Sequence, residues 1–162
     1  MVGEWRKDGP MLPVEFARES GGHRITLVIC EGVQPVQTYW SLLDAPNLSS
    51  AVSMLAKREK IIKRIDADIG RWNSATGEHH GMGGAAIASW AQARGLSGAV
   101  WTNLLCGFKN ARNVMPSGLD VVAHLKSLEG IARKDTEEYV VKTPPQIDTA
   151  YRRLIAGELG WT

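Results

Sequence analysis

Ala85-Ala86-Ile87-Ala88-Ser89-Trp90-Ala91-Gln92-Ala93-Arg94-Gly95, followed closely by Gly98-Ala99-Val100-Trp101-Thr102, is the stretch whose reading decides the fold. Ala86, Ile87, Trp90 and Ala91 recur on one side at helical spacing, and Gly95 stands just past the last helical residue, where left-handed backbone closes a helix. A short apolar, β-favouring run directly after such a helix is the second half of a β-α-β unit. Upstream, Ile69-Gly70-Arg71-Trp72 is a short segment able to supply the first strand. A parallel pairing of the Ile69 and Ala99 segments is therefore predicted.

Working outward toward the N-terminus, Val14 to Glu19 and His23 to Cys30 flank Ser20-Gly21-Gly22, a hairpin signal. The second run begins with alternation and ends in continuous apolar residues, which predicts a strand buried on both faces in its later half. Val36 to Leu43 is a weaker strand candidate with Pro35 before it. Asn47 is placed to cap a helix carrying Leu48, Val52, Leu55 and Ile62, which is expected to end near Lys60 to Arg64. Toward the C-terminus, Ser117 and Asp120 have the spacing of a capping box, with Leu119, Val122, Leu125 and Leu128 as the buried side. A further helix is expected over Ile131 to Lys142, stopped by Thr143-Pro144-Pro145, and a last one over Ile147 to Leu159. The fold class is thus α/β: a small mixed sheet with an N-terminal hairpin, flanking helices and a helical C-terminal layer.

A chain of 162 residues, 44% hydrophobic and 22% charged, has enough apolar material for one sizeable core, so a single domain over 1–162 is expected, with 1–12 as a polar arm, ordered or frayed. The net charge of +2 is too small to demand a polyanionic partner. Lys57-Arg58-Glu59-Lys60-Ile61-Ile62-Lys63-Arg64 carries five cations against one anion, and its expected place is a helix's last turn, where cations favour the negative dipole end. Nucleic acid is not the expected partner, because no aromatic platforms interleave with those cations. No stretch approaches the roughly 20 apolar residues needed to span a bilayer, and the N-terminus lacks a secretory apolar segment, so a cytoplasmic protein without a membrane partner is expected. Cys30 and Cys106 have no second thiol close in sequence, so neither a metal knuckle nor a disulfide framework is indicated.

If the His23, Ile69 and Ala99 strands share a parallel sheet, their carboxyl ends meet at one edge, where ligands of such sheets bind. That edge would present Cys30-Glu31-Gly32, Asn73-Ser74 and Thr102-Asn103. Gly77-Glu78-His79-His80-Gly81-Met82-Gly83-Gly84 leaves the same edge and enters the Ala85 helix. His79 or His80 would serve as general base, Cys30 as a nucleophile, and Glu31, Thr102 and Asn103 would orient a substrate. Amides at Gly83 and Gly84 would hold an anion. Adjacent histidines cannot easily aim both rings at one ion, so no metal is expected, and no motif names a cofactor. The six tryptophans are read mainly as core.

Ala99-Val100-Trp101-Thr102-Asn103-Leu104 and Pro144-Pro145-Gln146-Ile147-Asp148-Thr149-Ala150-Tyr151-Arg152 resemble segments of small uncharacterised proteobacterial proteins. The resemblance covers the region from Leu27 onward and implies a free-standing bacterial domain; it implies no activity. Two functional readings stand. One is a hydrolase or transferase, or a binding domain, for a polar or anionic small molecule. The other is a noncatalytic protein–protein interaction module, with the C-terminal helices or the Val14 to Glu19 strand edge as its contact surface.

Overall fold

A computed structural model describes residues 3–162. In chain order the elements are β1 (Met11–Leu12), β2 (Val14–Glu19), β3 (Ile25–Ile29), β4 (Val36–Gln37), α1 (Leu48–Arg58), α2 (Ile65–Asp68), β5 (Ile69–Asn73), β6 (His79–His80), α3 (Gly84–Ala93), β7 (Gly98–Thr102), α4 (Gly118–Ser127), α5 (Gly130–Lys142) and α6 (Ala150–Leu159). Short strands among helices make the class α/β. The chain divides into two compact units: the described residues through Leu12 with Gln37–Leu104, and Pro13–Val36 with Leu105–Thr162.

The first unit is built on a three-stranded sheet in the order β6-β5-β7. Its pairings correct the expected parallel geometry: β5 runs antiparallel to β7, from Ile69 opposite Thr102 to Asn73 opposite Gly98, and antiparallel to β6, with Arg71 opposite His80. The physical reason lies in the segment between Asn73 and His79. Asn73 N donates to Glu78 O, Gly77 N to Asn73 O, and Ala75 N to the Asn73 side chain, so the chain reverses in a tight hairpin before the helix begins. The β-α-β unit exists, but its first strand is β6, one strand removed from β7. On one face, Ile69 and Val100 join Val52, Leu55, Ala56, Ile61 and Ile65 in an apolar cluster with α1. On the other, Gly70 lies beneath the Trp101 indole so closely that an added methyl group would overlap the ring.

The polar N-terminal arm is ordered where it crosses this unit. Arg6 and Trp40 exchange backbone hydrogen bonds of 2.8 and 3.1 Å. The Asp8 carboxylate accepts from Trp40 Nε1 and Arg94, while the Asp8 carbonyl accepts from Trp90 Nε1 at 2.9 Å. Hydrogen bonds from Trp40 and then Arg94 hold the Asp8 carboxyl below its ordinary range. Trp40 and Trp90 meet edge to face at 5.1 Å between Arg6 and Arg94, so Trp90 is a half-buried anchor for the arm and not a core residue.

The second unit combines the expected hairpin with three helices. β2 and β3 pair antiparallel, with an irregularity between Phe16 and Arg18. Phe16 and Ile25 sink into a core with Val121, Val122, Leu125, Leu128, Val140, Ile155 and Trp161. The Ser117–Asp120 capping box forms in both directions, at 3.0 and 3.3 Å. The free edge of β2 is closed, contrary to the strand-template reading: Gly107 N donates to Ala17 O at 2.7 Å and Glu19 N to Gly107 O at 3.1 Å. Among the described residues no helix is long and apolar enough to cross a membrane.

Candidate functional site

The residues singled out in sequence are divided between the two units. His79 and His80 form β6 and are solvent-exposed; their backbones pair with Trp72 and Arg71 of β5, and neither ring hydrogen-bonds to another described residue. The His79 ring lies against Gly84 so closely that a methyl group there would overlap Nδ1. Gly83 is the left-handed N-cap of α3, and the Gly84 amide, expected to hold an anion, donates to Gly81 O at 3.2 Å. Thr102 is opposite Ile69 in the sheet. Asn103 helps to fix the loop: Oδ1 accepts from Met82 N at 2.8 Å and Nδ2 donates to Ala67 O at 2.9 Å. One N–H and one lone pair of the amide thus serve the loop.

Cys30 and Glu31 belong to the second unit. Glu31 is exposed in a turn, and Cys30 is only 4% exposed at the end of an apolar strand. Burial, reinforced by Cys106 and Glu15, pushes the Cys30 thiol up to about 12. A buried thiol held in its protonated form argues against the expected nucleophile role.

A different histidine carries the chemical geometry. The turn from β2 to β3 places Gly22 and His23 consecutively in left-handed backbone, at φ of 71° and 62°. Such backbone is costly for a residue with a side chain and persists where its surroundings impose it. It swings the ring back, so that His23 Nδ1 lies 2.8 Å from Glu19 Oε1. The second carboxylate oxygen accepts from Lys109 N at 2.9 Å. Burial opposes ionisation of Glu19, but the Lys109 amide, His23 and the charges of His124 and Lys109 outweigh it and hold the carboxyl below its ordinary range.

An ionised carboxylate only accepts, so the proton between the pair belongs on His23 Nδ1. In the neutral ring the lone pair is then on Nε2, on a side chain 62% exposed to solvent. His124 of α4 stands beside this pair, its Nε2 donating to His23 O at 2.8 Å and its ring tilted against Phe108 at 5.3 Å. Arg112 ties the same corner by donating to Glu19 O and Gly107 O. Arg24, next in the chain, begins an open depression of roughly 550 Å³ that is also lined by Asp135, Glu138, Tyr139, Lys142 and Thr143.

Sequence reasoning passes over this corner because His23 simply opens the run His23 to Cys30, beside a glycine turn. The signal was Glu19-Ser20-Gly21-Gly22-His23, a carboxylate and an imidazole on either side of a glycine turn. Among the described residues no group of three His, Cys, Asp or Glu side chains is placed to hold a metal ion. No family model, curated protein or solved structure matches the chain.

Proposed function

We propose that the protein binds a polar or anionic small molecule beside the β2–β3 turn and uses His23 to move a proton, as a hydrolase or transferase would. The 2.8 Å contact of Glu19 with His23 Nδ1 carries this reading, because a carboxylate that fixes the tautomer of the neutral ring leaves the outer nitrogen as the acceptor open to a substrate proton. Exposed Arg24 and Lys109 supply cations for an anionic group. Among the described residues no carboxylate pairs with His79 or His80 in this way. Two free thiols, Cys30 and Cys106, support a reducing, cytoplasmic setting.

Thermal-shift measurements against phosphorylated and carboxylated metabolites test the proposal. The expected result is a stabilising compound whose effect disappears in His23→Ala, weakens in Glu19→Gln and persists in His79→Ala. A compound that stabilises His23→Ala as well as the parent protein sinks it. The interaction-module reading draws on Val114, Met115 and Leu119, apolar residues exposed around the start of α4. It gains ground only if no compound binds and polar replacement of Leu119 abolishes capture of a partner protein.

A further inference from the structure

We propose that the loop following α1 docks the protein peripherally on an anionic lipid surface. The basic run does not continue as helix: α1 ends at Arg58, and 59–64 fold as an exposed connection to α2. Lys60 takes the position after the C-cap in left-handed backbone, φ 56°, and two bonds lock it there, Ile61 N to Ala56 O at 2.8 Å and Lys60 N to Lys57 O at 3.2 Å. This is the Schellman arrangement, whose left-handed residue is ordinarily glycine. Arg64 holds the same kind of backbone at φ 55° before α2. Two strained positions in one short loop thus carry cations where glycine would cost less.

Between them the apolar side chains divide. Ile61 turns into the α1–sheet cluster, while Ile62 is 85% exposed at the tip. Lys57, Lys60, Lys63 and Arg64 are exposed and form no ion pair with another described residue; Glu59 lies 3.5 Å from Arg58, and Asp66 pairs with Arg71. The aromatic that the sequence run lacks is supplied from a distance, since Trp5, 52% exposed, stacks on the Arg58 guanidinium at 5.4 Å. An aliphatic tip, a flanking indole and a ring of cations match the layers of a membrane surface: acyl chains, the headgroup boundary and acidic headgroups. A nucleic acid would use the cations and the indole but has no use for an exposed isoleucine.

Co-sedimentation of the full chain with vesicles of phosphatidylcholine, alone or mixed with phosphatidylserine, tests this. Binding is expected only to the mixed vesicles and should fall as salt is raised. Each lost cation should weaken it roughly fivefold, so Lys60→Glu with Lys63→Glu should abolish it, and Ile62→Ser should weaken it at every salt concentration. Lys60→Gly separates docking from a structural role. Glycine suits that backbone, so Tm should rise by about 2–4 °C while vesicle binding falls roughly fivefold. Equal binding to both vesicle types, indifference to the charge reversals, absence of binding at low salt, or tighter binding to single-stranded nucleic acid than to the mixed vesicles overturns the proposal.

Discussion

Each unit holds a histidine beside a tight turn, and the two are held by opposite means. His79 is positioned by a missing side chain, with its ring resting on Gly84 at the start of α3. His23 is positioned by an added carboxylate, that of Glu19, with the ring hydrogen-bonded through Nδ1. Packing fixes where a ring lies but leaves its protons to solvent. A carboxylate fixes the protons as well. The same division runs through the rest of each unit: Gly70 admits Trp101 in the first, while in the second Glu15 is buried in β2 and accepts from Thr149 Oγ1 at 2.5 Å, Phe16 N at 2.9 Å and Tyr151 N at 3.2 Å. Thr149 in turn caps α6, so one carboxylate anchors the start of a helix.

The comparison can be broken most severely at Glu15. Removing its carboxylate in Glu15→Ala strands buried donors and should cost about 3 kcal/mol in urea denaturation; a loss under about 1 kcal/mol would mean that packing alone holds α6. Gly70→Ala comes next, at about 2 kcal/mol, because the new methyl group must displace the Trp101 indole and its bond from Nε1 to Met82 O. Gly84→Ala meets first the exposed His79 ring, which can swing away, so a smaller loss of about 0.5 kcal/mol is expected from the same overpacking mechanism. If this variant proves as damaging as Gly70→Ala, the His79 ring is more firmly seated than its exposure implies.

The smallest effect is the most diagnostic, because the two carboxylates of β2 should titrate in opposite senses. Burial raises the Glu15 carboxyl above its ordinary value against the pull of Thr149, the Phe16 and Tyr151 amides and Arg153. Its contribution to stability is therefore fully present below the ordinary carboxyl pKa and is lost as pH rises through the folded value. Glu19 lies below its ordinary value, so its contribution is present above that value and is lost as pH falls through the folded one. On acidification from neutral pH, the parent protein should gain on Glu15→Gln and lose ground to Glu19→Gln in denaturation midpoints. Parallel trends for the two variants would refute the assignment.

What could be read from the sequence was local. Asn47 caps α1 through a bond from Ser50 N, Ser117 and Asp120 form their box, and the glycine pair turns the hairpin, since each signal acts within a few residues of its effect. The expected last helix begins at Ala150 and not Ile147, because Thr149 takes the cap. Strand direction was not legible. β6 is only His79–His80, too short to show alternation, yet inserting it between β5 and α3 reverses the Ile69 strand relative to the Ala99 strand. The division into two units was equally hidden, since the chain passes from one to the other in the middle of an apparently continuous series of elements. Of the candidate site, the histidine chemistry was anticipated at the wrong histidines: Glu19 and His23 meet only because non-glycine backbone enters the left-handed region, which residue preferences argue against.

The bond from Gly107 to Ala17 has a consequence for how the protein behaves in a crowd. A hairpin with an open outer edge invites a second molecule to extend it, the first step toward fibrils. Gly107, at φ 100° and with no room for a methyl group against the Ala111 carbonyl, is what lets the chain lie along that edge. A side chain at this one position would turn a sealed margin into a sticky one, and clumping, not lost chemistry, would be the first symptom.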